Sequence, residues 1–207
     1  DDKYYSGSVY MRPGRSREEP RIKDVLHAYA IFAQDANGEV AHSDVVMKMT
    51  RPAKPSKPYQ GKYQVVPGKV NPSFYDEGGN GIGYLDDNIN VMSKTFRKGE
   101  GVDSAGGMIG HVITGEWQNL SLDVKKAGKY KVSIEYGAPA GYGGRILLVL
   151  NEKEWIGTLE LPTANGRGWG GLHSGDTVIT LPAGKQKLKL ICVGAFNYSY
   201  LTFKAVK

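Results

Sequence analysis

From Asn119 to Tyr136, apolar and polar side chains trade places with only one interruption. Leu120, Leu122 and Val124 alternate with Asn119, Ser121 and Asp123; then Tyr130, Val132, Ile134 and Tyr136 alternate with Lys129, Lys131, Ser133 and Glu135. Successive side chains of a strand point to opposite faces, so a period of two describes a strand with one face on a core and the other in water. The interruption, Lys125-Lys126-Ala127-Gly128, is a glycine-containing turn, which predicts that the two strands pair as a hairpin. That hairpin is expected at the centre of a β-sandwich, with the rest of the chain arranged around it.

Composition supports strands over helices. The 207 residues are 40% hydrophobic and include 28 glycines and 13 tyrosines, enough apolar matter for a core and enough glycine for many tight turns. The net charge of +6 is unevenly spread. Arg51, Lys54, Lys57, Lys62 and Lys69 fall within residues 51–69 with no acid among them, so the basic balance is mainly a property of that stretch. Nucleic-acid recognition needs a basic stripe on a folded face, which the sequence does not offer. No apolar run approaches the ~20 residues of a membrane-spanning helix. No signal peptide is present, and the start at Asp1 reads as that of an excised fragment. Cys192 is the only cysteine and continues the apolar row of Leu188 and Leu190, as a small buried hydrophobe does.

Taken in order, residues 1–50 supply three expected strands, 3–12, 25–34 and 40–50, the last two joined by the turn Asp35-Ala36-Asn37-Gly38. Three strands are too few for an independent sandwich, which takes about seven strands and ~100 residues, so this segment reads as part of an immunoglobulin- or fibronectin-like β unit. Residues 51–69 carry Pro52, Pro55 and Pro58 at three-residue spacing and read as an extended Pro/Lys-rich linker. From residue 70 to 207, strands are expected near 82–85, 108–113, 117–124, 129–136, 145–151, 155–161, 176–181, 187–193 and 198–204. That succession without helices predicts an all-β jelly-roll sandwich.

Several short motifs then fall in sequence: Pro67-Gly68-Lys69, Y-D-E-G-G-N-G-I-G-Y-L-D at 75–86, F-R-K-G-E-G-V-D at 96–103, G-E-W at 115–117, K-A-G-K-Y-K-V at 126–132, L-P-A-G-K-Q-K-L-K-L at 181–190 and F-N-Y-S-Y-L-T-F at 196–203. Together, over residues 67–207, they resemble carbohydrate-binding module family 6 or a close sugar-binding relative. The resemblance implies a non-catalytic jelly-roll module that binds polysaccharide or oligosaccharide, with a secreted, periplasmic or cell-surface location. It also implies a tether to an upstream catalytic domain, typically a glycoside hydrolase. The family cleft uses two aromatic rings and an asparagine at the sandwich edge; Trp169 matches one ring and Asn197 the amide. The second aromatic normally precedes G-E-W, where this chain has Met108 and His111, and that departure keeps open a structural or protein-interaction sandwich that has lost the sugar. The family's structural calcium takes acidic ligands in its first strand, where Asn71 and Ser73 stand here. No cofactor is expected.

Each candidate has two readings. Trp169, among Gly166, Gly168, Gly170 and Gly171, is either a sugar platform or a cap on the core. Asn197 either pairs with vicinal hydroxyls or closes a turn. His111 either fills the vacant aromatic place or is a strand residue. Tyr142, in A-G-Y-G-G, is a candidate contact at the sandwich edge, and Glu77 a candidate acceptor for a sugar hydroxyl. Arg167 and His173 share the Trp169 loop and can donate to hydroxyls. Trp117 and Trp155 are expected to pack, and Asp86, Arg97 and Asp103 to form a structural polar set. Nothing marks an enzyme: the adjacent Asp86 and Asp87 point to opposite faces of a strand, and the four histidines lack zinc-ligand spacing.

Overall fold

The computed structural model describes residues 26–29, 32–34, 40–42, 46–49, 55–86, 95–163, 168–170 and 173–206. The chain divides into two compact units, Asp1–Ala53 and Lys54–Lys207. In the first, β1 (Leu26–Tyr29) pairs antiparallel with β4 (Val46–Met49), and β2 (Phe32–Gln34) with β3 (Val40–His42). The expected strands 25–34 and 40–50 thus each contribute two short strands, nested as an inner and an outer antiparallel pair. The expected strand 3–12 lies outside the described residues, as does the turn at 35–38.

The second unit contains β5 (Gln64–Val66), β6 (Gly68–Val70), β7 (Tyr84–Leu85), β8 (Ile109–Val112), β9 (Trp117–Val124), β10 (Gly128–Gly137), β11 (Gly143–Leu150), β12 (Glu154–Leu161), β13 (His173–Leu181) and β14 (Gly184–Ala205). Its first ladder runs β12–β11–β14–β9, with β5 parallel and β7 antiparallel to β9. The second runs β13–β10–β14, with β6 and β8 also on β14. The 22-residue β14 belongs to both: Gly184–Ala195 pairs in the first ladder, Phe196–Ala205 in the second.

Between the ladders lies one core. Leu120, Leu122, Ile146, Leu148, Leu159, Leu188 and Leu190 come from the first sheet; Tyr130, Val132, Ile134, Ile179, Leu201 and Phe203 come from the second. Opposite Glu135, Ser199 and Tyr200 form a bulge between the pairs Ile134↔Leu201 and Tyr136↔Tyr198. The extra residue shifts the inward phase of β14 from even positions (Phe196, Tyr198) to odd ones (Leu201, Phe203), so both stretches face the core. Cys192 is buried in the same core, and burial pushes its thiol well above the ordinary range, leaving a neutral apolar filler.

Two expectations are corrected. The strands 117–124 and 129–136 exist, but they are not a hairpin: β9 pairs with β5, β7 and the first half of β14, whereas β10 pairs with β13 and the second half. Lys125–Ala127 crosses from one sheet to the other. Alternation fixes which face of a strand is buried, not which strand lies beside it. The linker expected over 51–69 is also too long. Val66 and Val70 are fully buried, β5 registers Val66 against Val124, and β6 registers Val70 against Leu201, so the sandwich starts before residue 70. Strands of three residues are too short to show a period, and the prolines and lysines around them masked their role. Among the described residues no helix is long and apolar enough to cross a membrane.

Candidate functional site

At one end of the sandwich four connections meet: the β8–β9 turn, the β10–β11 turn, the β12–β13 segment, and β14 where it passes between the ladders. The meeting is enforced by backbone. Gly137, the last residue of β10, pairs with Asn197 of β14, and a Cβ on Gly137 would lie 2.2 Å from the carbonyl oxygen of Trp169. Only a residue without a side chain lets the Trp169 segment lie this close.

Asn197 ties the group together. Its Oδ1 accepts the His111 backbone N–H at 3.0 Å, and its Nδ2 donates to the Trp169 carbonyl at 3.3 Å. A side-chain amide has one further acceptor site and one further hydrogen, so both ends keep hydrogen-bonding capacity. His111 is held at φ 51°, a left-handed conformation unusual for a residue with a Cβ, and its side chain is exposed. Trp169 is 40% exposed and Tyr142 49% exposed, with ring centroids 4.8 Å apart and planes inclined by 53°. Trp169 is therefore not a cap sealed into the core.

Four of the five candidates from the sequence, Trp169, Tyr142, Asn197 and His111, thus form one contiguous group. Glu77 does not join it. Its Oε1 accepts the Gln60 N–H at 2.9 Å and its backbone pairs with Lys57, at the start of the unit. His173, the first residue of β13, sets its ring 5.8 Å from that of Tyr136 with the planes inclined by 46°; Arg167 lies outside the described residues. Arg97 has the structural role expected of it: the guanidinium lies 3.6 Å from the centre of the Tyr75 ring, pairs with Glu100 at 2.9 Å and donates to the Tyr75 carbonyl.

Asn71 and Ser73 stand where the resemblance puts the acidic ligands of a calcium ion. Asn71 Oδ1 accepts the Ser73 N–H at 2.9 Å, its Nδ2 donates to Gly106 at 3.1 Å, and the Ser73 hydroxyl pairs with that of Ser104 at 2.8 Å. These atoms are bonded to one another and to backbone, and none is a carboxylate, so they do not fit a calcium ligand set. Among the described residues no group of three or more His, Cys, Asp or Glu side chains is placed to hold a metal.

The sequence reading missed a groove of about 740 Å3 beside Tyr142. Gly143 and Gly144 of β11, paired with Ala195 and Gly194 of β14, line it with Ile113 and Thr114 from the β8–β9 turn and Thr163 after β12. A Cβ on Gly144 would meet the Val193 carbonyl oxygen at 1.9 Å, so tight crossing of the chains demands the glycine. The glycine pair was visible in the sequence, but that it faces a second glycine across β14 was not.

A second polar constellation lies on the outer face of the first sheet. Cross-strand pairing sets Trp155, Val149, Lys189 and Asn119 in one row and Thr158, Leu147, Ile191 and Trp117 in the next. Trp117 is 4% exposed, with the Lys189 ammonium 3.9 Å from its ring centre, so the expectation that it packs is met. Lys189 also faces Glu152 at 3.7 Å. Burial outweighs that partner and brings the Lys189 ammonium down to about 8. Nearby, burial raises the pKa of the Asp76 carboxyl despite its bond from the Ser56 hydroxyl at 2.6 Å.

The family profile described as carbohydrate binding module (family 6) matches residues 77–205. Among solved structures, a module from Clostridium stercorarium in complex with cellobiose superposes with a TM-score of 0.53 at 16% identity, covering 70% of this chain and 99% of its own. A β-1,3-glucan-binding module from Bacillus halodurans gives 0.51 at 17% identity, covering 70% of this chain and 100% of its own. The module of Cellvibrio mixtus lichenase 5A in complex with cellotriose gives 0.50 at 17% identity, covering 69% of this chain and 99% of its own. At these identities the superpositions show a shared fold. No curated protein sequence matches the chain significantly.

Proposed function

The chain belongs to carbohydrate-binding module family 6, a family of non-catalytic binding modules, and we propose that it holds a saccharide on the surface formed by Trp169 and Tyr142. The observation that carries this reading is the pair itself: two rings close to half exposed, 4.8 Å apart, on glycine-rich segments, that of Trp169 anchored by Asn197. An exposed indole offers a flat apolar face to the C–H face of a pyranose, and its N–H can bond outward. The spare acceptor and donor of Asn197 lie beside it for hydroxyls. The segment before G-E-W, where the family's second aromatic is expected, carries Met108 and His111 instead, and in this reading Tyr142 supplies the second ring.

The site is shallow and open, so single contacts are weak and affinity belongs in the micromolar to millimolar range. A module of this kind acts by raising the effective concentration of a catalytic domain on the same chain near its polymer. The proposed setting is a secreted, periplasmic or cell-surface glycoside hydrolase with this module as its tether. Cellobiose and cellotriose in two structural neighbours, and β-1,3-glucan binding in a third, make neutral β-glucans the first probes.

One feature favours a second reading. The two rings are inclined by 53° rather than facing across a slot, which suits a protein-interaction surface as well as a sugar platform. Affinity electrophoresis through gels containing cellulose derivatives, β-1,3-glucan or xylan separates the two. Retardation by at least one polymer, abolished in Trp169→Ala, supports the saccharide reading. Unaltered migration in every gel leaves the interaction surface as the account of this end of the fold.

A further inference from the structure

Folding collects on one face a set of lysines that the sequence scatters. Tyr130, Val132, Phe203 and Val70 point into the core, so their neighbours Lys129, Lys131, Lys204 and Lys69 stand on the outer face of the second sheet, and all four are exposed. Strand register sets their order. Lys131 of β10, two residues on from Lys129, lies directly opposite Lys204 of β14. Lys69 of β6 lies opposite Thr202, the next outward residue of β14. Outward residues follow one another about 7 Å apart along a strand, and neighbouring strands lie about 5 Å apart, so the four positions trace a diagonal stripe ~17 Å long across β10, β14 and β6. The acids Asp176 on β13 and Glu135 further along β10 lie off the stripe.

The stripe is built for a linear anion. Like charges directly opposite one another on neighbouring strands cost stability, and Lys131↔Lys204 is such a pair. Asp176 reaches Lys131 at 2.5 Å from the β13 side, and an anion lying between the two ammoniums offsets the remaining repulsion. Lysine carries a hydrated point charge rather than the planar fork of arginine, so the stripe reads the spacing of charges rather than the shape of one group. Val178, 54% exposed, lies in the row of Lys131 and Lys204 and offers apolar surface to the C–H groups of a sugar ring. Tyr200 has the Lys69 ammonium 3.8 Å from its ring centre, so that ring is already covered and is not offered to a nucleic-acid base for stacking. We propose that this face binds a linear acidic polysaccharide, a polyuronate with one carboxylate per ring, along Lys129, Lys131, Lys204 and Lys69. The stripe shares no residue with the Trp169 and Tyr142 surface, and the proposal does not depend on what that surface holds.

Biolayer interferometry of the full chain on immobilised polygalacturonate, on its methyl ester and on a DNA duplex tests it at low and moderate salt. Two triple variants are compared with wild type: Lys69→Gln/Lys129→Gln/Lys204→Gln on the stripe, and Lys57→Gln/Lys62→Gln/Lys153→Gln, which removes the same charge from exposed lysines outside this face. Wild type is expected to bind polygalacturonate, to lose most of that binding on the methyl ester, and to weaken steadily as salt rises. The stripe variant is expected to bind about tenfold more weakly and with a shallower salt dependence, and the control variant to fall by no more than about twofold. Trp169→Ala is expected to bind polygalacturonate as wild type does. Absence of binding, equal binding to the methyl ester, equal losses in the two triple variants, or tighter binding to the duplex each overturn the proposal. Loss of polygalacturonate in Trp169→Ala would assign that polymer to the loop end and overturn it as well. Failure of neutral glucans to bind at Trp169 would overturn only the loop-end reading.

Discussion

Asn197→Ala removes the clip that joins β8, β14 and the Trp169 segment. Two hydrogen bonds are lost, at 3.0 Å to the His111 N–H and 3.3 Å to the Trp169 carbonyl. Both lie near water, so the freed groups rehydrate, and each bond is worth about 0.5–1 kcal/mol. Against this, His111 no longer has to stay at φ 51°, a conformation that costs about 1 kcal/mol for a residue with a Cβ. Net destabilisation is therefore at most about 1 kcal/mol, read as a small shift of the urea midpoint with unchanged slope. The effect on binding is expected to be relatively larger. An indole that must be re-ordered at each encounter costs about 0.5–1.5 kcal/mol, which together with any direct amide contact weakens a saccharide by roughly tenfold. Asn197→Asp separates the two bonds: it keeps the acceptor for His111 and loses the donor to Trp169, so stability is largely retained while affinity falls. Calorimetric titration and urea unfolding of the same samples supply both numbers. Affinity equal to wild type in both variants would refute the clip.

Three further outcomes are expected. The folded Lys189 ammonium titrates near 8 against 10.5 in the unfolded chain, so the folded state binds fewer protons between those values and wild type gains stability as pH rises through that window. The gain, on the order of 3 kcal/mol at most, is absent in Lys189→Met; parallel urea curves for both proteins at pH 7 and 10 would contradict it. Gly137→Ala drives a Cβ against the Trp169 carbonyl, 2.2 Å away, and should weaken saccharide binding at a stability cost of about 1–3 kcal/mol; unchanged affinity would show that the segment moves freely. Leu148→Ala, in the fully buried centre of β11, should cost about 2–5 kcal/mol in urea unfolding without changing affinity per folded molecule.

The extent of most strands was legible because the core imposes its period on the residues that line it. Leu120 to Val124 and Tyr130 to Tyr136 show it over several residues each, and both segments are strands in the structure. Pairing was not legible. The residue that decides whether Lys125–Ala127 closes a hairpin or crosses between sheets lies sixty positions on, in β14. Residues 64–70 were lost to the same cause at another scale: three-residue strands carry too little pattern to outweigh the prolines beside them. At the site, aromatic rings among glycines stand out in the sequence, so Trp169 and Tyr142 were singled out, and the structure sets the two rings 4.8 Å apart. Glu77 was misplaced because a loop sequence does not say which neighbour its carboxylate will meet, and here that neighbour is the Gln60 N–H. The lysine stripe was missed because Lys69, Lys129, Lys131 and Lys204 meet only through the registers of β6, β10 and β14.

The indole that matters can be identified by comparing Trp169→Ala with Trp155→Ala in gels containing the polymer that most retards wild type. The first lies at the loop end of the sandwich, the second half-buried on the outer face of the first sheet, with its Nε1 donating to Thr158 at 3.2 Å. Free migration of Trp169→Ala with full retardation of Trp155→Ala is the predicted result. The reverse pattern would move the ligand to the sheet face and contradict the account.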